Sequence, residues 1–373
     1  MPFDPPTLIY LATIRLPTEK AHGLQIMKTC EALAGRGVEL RLLVPKRKNI
    51  LSGSAFDFYQ IKQNFKLDFV PCVDAINWLI GRFGFWLTNW SFYRQAKKFF
   101  TPNALFYTRD LLLAMALTRD HKPFIYEIHS LPEKASKHHI RVWQSASGIV
   151  VISDGLKNQL IAWGVSESKI TVARDAVEVE KFQIAESKHD CRQKLNLPLD
   201  GQIVVYTGHL YAWKGAGILA QAATILPQAT QVYLVGGTNE DVARFKTLYT
   251  APNLHIVGWQ PHAQMPFWNK AADVLVIPTS GKEKIGAVYT SPMKLFEYLV
   301  SGNPIVASAI PALQEILSED RAIFFVPDNA PDLARAVQQA LTTPPQAKAG
   351  DLSEYSWGQR AIIIANFINT LNL

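Results

Sequence analysis

The sequence predicts an α/β protein built from two Rossmann-like domains. Two observations carry this. Short apolar runs, each followed by a helical hydrophobic period, recur along the chain in the βαβ manner of parallel sheets. The series also stops at a polar stretch, Arg174 to Gly201, and starts afresh beyond it. The length of 373 residues suits two domains of ordinary size. We place the first over residues 1–180 and the second over 181–355, with a tail over 356–373.

Thr7 to Ala12 reads as the first strand. Leu24 to Arg36 then has apolar residues at 26, 27, 30, 33 and 34, a helical period that Gly37 is placed to end. Val38 to Val44 is the second strand, so the opening is a βαβ unit with Gly23 at its loop-to-helix junction. There is no G-x-G-x-x-G, so a dinucleotide fingerprint is absent. Further strands are expected at Ala104–Thr108, Phe124–Ile128 and Gly148–Ser153. His129 follows the Phe124 strand at its carboxyl end, where open α/β sheets bind ligands and a neutral imidazole can hydrogen-bond a hydroxyl.

Beyond the polar stretch, Gln202 to Gly208 is a strand, followed by His209-Leu-Tyr-Ala-Trp-Lys214-Gly215 and an Ala-rich helix. Gln231–Gly236 and Leu254–Gly258 are strands ending in glycine. Asp273–Pro278 is a buried parallel strand. A loop with Glu283 follows, then Tyr289-Thr-Ser-Pro-Met-Lys-Leu-Phe-Glu-Tyr298. Ser291 as N-cap and Pro292 at the first helical position predict a helix start here. Its free N–H groups and Lys294 favour an anion, and Glu297, about a turn and a half from the cap, suits a group beside that anion, such as a ribose diol.

The bulk properties narrow the classes. The chain is 48% hydrophobic and 18% charged, so it builds cores and is not disordered. A net charge of +7 favours an anionic partner: nucleotide, phospholipid surface or nucleic acid. Cys30, Cys72 and Cys191 form no metal-ligand spacing and suggest a reducing compartment. The N-terminus lacks a signal peptide's basic region and apolar core, and no run approaches the roughly 20 apolar residues of a membrane span.

Ala75 to Asn103 carries Trp78, Phe83, Phe85, Trp86, Trp90, Phe92, Tyr93, Phe99 and Phe100, with Arg82, Arg94, Lys97 and Lys98 and no acid. Aromatic and basic residues together suit an anionic membrane surface; the same rings also suit the domain interior. The uncharged run from Phe83 to Tyr93 is long enough to lie on a membrane but not to cross one. Nothing else resembles a nucleic-acid module, so nucleic acid is not expected as a partner.

The motifs, taken in order, resemble the retaining glycosyltransferases of family 4 (glycosyl transferases group 1), of GT-B architecture and cell-surface polysaccharide or glycolipid type. The Tyr289–Tyr298 stretch is similar to the donor motif of that family, two glutamates separated by seven residues. Glu297 matches the second, which the resemblance makes a ribose ligand; Tyr289 stands where the first, a sugar contact, is usual, and Glu283 is a nearby substitute. The amides from Ser291 through Pro292, Met293 and Lys294 fall where the family holds the donor diphosphate. Gly208, His209 and Lys214 match its Gly, Arg and Lys-Gly pattern, with His209 in place of the arginine. Gly23 matches a phosphate-contacting glycine, and Glu127-Ile-His129 the family's acidic-x-His motif.

The resemblance implies two Rossmann-like domains facing a cleft, an acceptor-side first domain, a donor-binding second domain and a tail helix returning to the first. The implied reaction moves a sugar from a UDP- or GDP-sugar to an acceptor hydroxyl, with retention and without metal or other cofactor. Lys214 and His129 are the candidate catalytic residues. The acceptor would be a glycan or lipid-linked glycan, and the location cytoplasmic, peripheral on the inner membrane face. Two other readings share the architecture: a non-catalytic membrane-associated binding protein, and a nucleotide-sugar 2-epimerase.

Overall fold

A computed structural model of the chain describes residues 7–49, 51, 53–76, 82–345 and 352–371. Two compact units emerge. One holds the described residues up to Ile152, Leu156–Arg174 and the chain from Trp357 on; the other holds Ser153–Gly155 and Asp175–Ser356.

Among the described residues the first unit contains a parallel sheet of β1 (Leu8–Leu11), β2 (Leu40–Lys46), β3 (Lys66–Pro71), β4 (Leu105–Thr108), β5 (Phe124–Ile128), β6 (Gly148–Val151) and β7 (Ile170–Val172). Its order is β3-β2-β1-β4-β5-β6-β7. The chain therefore reverses direction across the sheet between β1 and β4, which opens a crevice at their carboxyl ends. Strands β1, β4 and β5 are buried along their whole length, as a sheet covered on both faces requires. That burial includes one charged residue, Glu127.

The second unit repeats the scheme with β8 (Gln202–Thr207), β9 (Thr230–Val235), β10 (Leu254–Gly258), β11 (Val274–Ile277), β12 (Ile305–Ser308) and β13 (Ala322–Phe325), in the order β10-β9-β8-β11-β12-β13. The period-2 alternation of a strand divides its core into two layers. Ile203 and Val205 of β8 pack with Leu275, Ile277, Leu295 and Phe296. Val204 and Tyr206 turn to the other layer, with Val232, Leu234, Leu219 and Val337. Here the direction reverses between β8 and β11.

Several expectations are corrected. The first helix runs Ala21–Ala34, so Gly23 lies inside its first turn instead of ahead of it. Gly37, at φ +83°, turns the chain beyond its end. The helix after β11 spans Met293–Ser301, with extended Pro292 as N-cap and no side-chain cap. Ser291 is not the cap because its hydroxyl accepts the Asp175 N–H at 3.2 Å. Ahead of it, Ile285–Tyr289 forms a turn of π-helix.

The aromatic stretch divides between the two readings given for it. Residues Arg82–Ala96 form a helix and Lys97–Phe99 a 3-10 turn. Phe92 and Tyr93 enter the core, whereas Phe83, Phe85, Trp86 and Trp90 are exposed; Trp78 lies outside the described residues. The tail helix Trp357–Thr370 belongs to the first unit. Among the described residues no helix is long and apolar enough to cross a membrane.

Candidate functional site

The second unit's site forms where two loops meet at the reversal between β8 and β11. Gly215 has φ +74°, and a Cβ there would lie 1.6 Å from the Pro278 carbonyl oxygen. Only glycine tolerates both the conformation and the approach, so the turn after Lys214 presses on the end of β11. Ser280 N–H donates to the Trp213 carbonyl at 2.9 Å, which joins the same two loops. A similar contact brings the ends of β8 and β9 together: a Cβ on Gly236 would meet the Gly208 carbonyl oxygen at 2.2 Å. The Tyr298 hydroxyl accepts the Thr207 N–H at 2.8 Å and so ties the Met293–Ser301 helix to the same corner.

Gly208, Lys214, Lys294 and Glu297 are brought together here. The Lys294 Nζ sits 3.7 Å from the centroid of the Tyr206 ring. It would be 2.9 Å from a Cβ on Gly208, so any side chain at 208 would collide with the ammonium. Lys214 and Lys294 are both half-buried. Burial, deepened by the charge on Lys214 and opposed by Glu297, holds Lys294 well below the usual lysine value. Burial likewise lowers Lys214, against the pull of Asp175 and Glu297. Neither lysine forms an ion pair among the described residues. By helix geometry the amides of Met293 and Lys294 have no intrahelical acceptor. Two crowded cations beside free amides make a corner suited to an anion with more than one negative charge.

Glu297 is buried, and its carboxylate receives His262 Nε2 at 2.9 Å. His262 was not anticipated; it lies 35 residues from its partner, in a turn with no motif of its own. His209 stacks flat on Tyr211, with centroids 5.0 Å apart, and its carbonyl accepts the Tyr206 hydroxyl at 2.6 Å. Tyr289 is buried at the end of the π-turn, and Glu283 is exposed. Among the described residues no three His, Cys, Asp or Glu side chains are grouped to hold a metal ion.

The first unit's crevice is organised by Glu127 at the end of β5. His129 Nε2 lies 2.6 Å from its Oε1. Gln25 Nε2 donates to the same oxygen at 2.7 Å, and Arg360 Nη2 of the tail helix at 2.8 Å. The Tyr107 hydroxyl closes on Oε2. Burial works to raise the Glu127 carboxyl, but Arg360, His129 and Arg109 prevail and hold it well below the usual carboxylate range. Arg109, just past β4, bonds Gln25 Oε1 at 2.9 Å. His22, at the start of the first helix, is pushed down to about 4 by burial, Arg109 and Lys20, so its imidazole is neutral at pH 7.

Sequence reasoning reached His129 but not the carboxylate's other partners, Gln25, Tyr107 and Arg360, which come from distant segments. Gly23 is placed differently from expectation. Its missing side chain makes room for Tyr59: a Cβ would lie 2.2 Å from that hydroxyl, and the Gly23 N–H is already bound to the Lys20 carbonyl at 3.0 Å.

A family model described as Glycosyltransferase Family 4 matches residues 23–181. A second, described as Glycosyl transferases group 1, matches residues 201–343. The chain belongs to the family 4, group 1 glycosyltransferases. The two matched segments fall one in each unit, and the pair of parallel sheets is that of the GT-B architecture.

Curated relatives of this family member include the putative teichuronic acid biosynthesis glycosyltransferase TuaC of Bacillus subtilis, 23% identical over 58% of this chain and 54% of that protein. The amylovoran biosynthesis glycosyltransferase AmsK of Erwinia amylovora is 25% identical over 56% and 51%. The chain thus spans about half the length of the curated relatives it matches. Among solved structures, sucrose-phosphate synthase from Thermosynechococcus elongatus aligns with TM-score 0.76 at 19% identity, over 98% of this chain and 99% of that one. Anabaena HepE, solved with UDP and glucose, aligns with TM-score 0.71 at 16% identity, over 98% and 100%. At these identities the likeness concerns the fold.

Proposed function

We propose that this glycosyltransferase moves a sugar from a nucleotide-diphosphate sugar to an acceptor hydroxyl, with retention at the anomeric carbon. One observation carries the reading. Lys214, from the turn after β8, and Lys294, from the first turn of the Met293–Ser301 helix, come to one corner of the second unit, half-buried, and each lacks an ion-pair partner among the described residues. Burying two cations side by side costs stability unless an anion completes the site, and a diphosphate supplies that charge.

In this reading the diphosphate lies against Lys214, Lys294 and the amides that follow Pro292. Charge developing on the leaving phosphate oxygen is met by groups already in place. That oxygen then takes the proton of the attacking hydroxyl as the new glycosidic bond forms. Glu297, held by His262, bonds the ribose diol. His129, held by Glu127, bonds a sugar hydroxyl. The reading assigns the leaving-group charge to lysines and amides and calls for no metal ion. Tyr289, being buried, lies where the family's first glutamate would be, so the sugar contact on that side rests on backbone or on exposed Glu283.

The names of TuaC and AmsK, both for polysaccharide biosynthesis, support a glycan or lipid-linked glycan as acceptor. HepE with UDP supports uridine as the first base to try. Nucleotide sugars would place the reaction in the cytoplasm. The test is a thermal-shift panel of UDP- and GDP-sugars on the wild type and Lys214→Ala, followed by product analysis with labelled donor. A shift with one nucleotide series, lost in the variant, and an α-linked product from an α-linked donor are expected. No shift with any nucleotide would sink the proposal.

A further inference from the structure

The helix Arg82–Ala96 buries Phe92 and Tyr93 near its carboxyl end, but over residues 83–91 it turns polar groups inward and rings outward. Its inward residues include Thr88, Asn89 and Ser91, all buried polar groups. Each is partnered. Thr88 Oγ1 donates to the Gly84 carbonyl at 2.9 Å and accepts the Ala75 N–H at 3.0 Å. Asn89 donates to the Phe85 carbonyl at 2.9 Å and accepts the Thr13 hydroxyl at 2.7 Å. Ser91 accepts the Val73 N–H at 2.9 Å. The outward residues are aromatic: Phe83 is 60% exposed, Phe85 44%, Trp86 49% and Trp90 43%.

A helix covering the core of a protein in water has the opposite arrangement. The inward hydrogen bonds also fix the rotation, because turning the rings inward would strand several buried polar groups. At roughly 200–250 Å² per ring, the outward face presents on the order of 400 Å² of aromatic surface, the size of the largest apolar patch on an ordinary monomer, which is often a functional one.

The rings form a ladder at helical spacing. Phe83 stacks on Trp86 with centroids 6.0 Å apart, Trp86 on Trp90 at 6.3 Å, and the Arg94 guanidinium lies 5.6 Å from the Trp90 ring. Residues 83, 86, 90 and 94 follow the i, i+3, i+4 rule, so they lie along one face. Arg94 and Lys98 are exposed at its carboxyl end, whereas Lys97 is engaged by Asp120. Residues 75–103 contain no acid.

We propose that this face docks the protein on an anionic lipid bilayer, with the helix lying in the interface, the rings at headgroup depth and Arg94 and Lys98 meeting lipid phosphate. Tryptophan is the side chain most favoured at that depth, and the absence of acids within the segment removes the repulsion that an anionic surface would otherwise exert. Charge complementarity selects this occupant over a second copy of the chain, because residues 75–103 offer Arg94 and Lys98 no acid, whereas an anionic bilayer offers phosphate. The inference does not rest on the transfer reaction.

The test is co-sedimentation of the full chain with vesicles of phosphatidylcholine alone and with phosphatidylglycerol added. Anionic vesicles should carry the protein down and neutral ones should leave most of it in solution. Trp86→Ser with Trp90→Ser should weaken binding roughly a hundredfold, if half of the exposed indole surface leaves water. Arg94→Ala with Lys98→Ala should weaken it about fivefold per charge and remove the preference for anionic lipid. All four positions are exposed, so both variants should melt with the wild type. Failure of the wild type to sediment, or unchanged binding in both variants, overturns the proposal. So does a dimer seen by light scattering that Trp86→Ser with Trp90→Ser disperses, since a second copy would then cover the face.

Discussion

Arg360→Met tests the buried ion pair that closes the first unit. Arg360 is 3% exposed and Glu127 1%. The guanidinium reaches Glu127 Oε1 at 2.8 Å, the Arg174 carbonyl at 3.0 Å and Thr29 Oγ1 at 3.2 Å. Removing one member of such a pair leaves the other as a buried charge, which costs about 3–5 kcal/mol. His129 and Arg109 remain near Glu127, so the lower end, about 3 kcal/mol, is expected. For a unit of this size that is a fall of roughly 6–12 °C in melting temperature.

The pH dependence separates this cause from lost packing. In the wild type the carboxyl is held below its unfolded value. It therefore adds stability above the unfolded pKa and loses it as pH falls towards the lower folded value. Without Arg360, burial raises the carboxyl relative to the wild type, so protonation relieves the buried charge and the deficit shrinks on acidification. Thermal melts from pH 8 to pH 5, on Arg360→Met and on the double variant with Glu127→Gln, read both effects. A loss under about 1 kcal/mol, or the same loss in the Glu127→Gln background, would refute the reasoning.

Lys294→Met should raise the melting temperature of the free protein while abolishing the nucleotide-induced shift, because burial beside Lys214 disfavours the ammonium and Glu297 offsets that only in part; a lower melting temperature would count against it. Since Lys294 is depressed below its unfolded value, the unfolded chain holds the proton longer, and stability rises with pH up to the unfolded lysine pKa; Lys294→Met should flatten that rise in alkaline melts. Gly215→Ala forces a Cβ to 1.6 Å from the Pro278 carbonyl at φ +74°, so a stability loss of at least about 1–2 kcal/mol and loss of nucleotide binding are expected in urea titrations and calorimetry. His22, pushed down to about 4, contributes stability above pH 6.5 that is lost as pH falls to about 4. Its ring should titrate near pH 4 by NMR, and His22→Gln should reduce the loss of stability over that window.

The strands were legible because parallel strands buried on both faces are continuous apolar runs, as in Ile203–Tyr206 and Val274–Ile277. Lys214, Lys294 and Glu297 were legible because each lies within a short local motif after a strand. Ser291 was misread because its hydroxyl bonds Asp175, a residue 116 positions away that no local pattern reveals, while Pro292 takes the cap position. His262 and Arg360 left no local trace: each matters only for the carboxylate it meets in space. Gly23 matched a motif, yet its environment is filled by Tyr59. The rings from Phe83 to Tyr93 were ambiguous because composition does not give the phase of a helix; the hydrogen bonds of Thr88, Asn89 and Ser91 do.

The pairing of Glu127 with Arg360 also orders events on the ribosome. The carboxylate is made early, in the middle of the first sheet, and its guanidinium follows 233 residues later. At roughly 5–20 residues per second, the strand waits on the order of 10–50 s for its counterion. During that interval the second unit is synthesised in full, while the first has only His129 and Arg109 to offset the charge of the Glu127 carboxylate in its central sheet. A nascent chain arrested before Trp357 should therefore remain protease-sensitive around β5, with resistance acquired when the Trp357–Thr370 helix leaves the exit tunnel. The Trp357–Thr370 helix, made after the second unit, is in this sense the latch on the first.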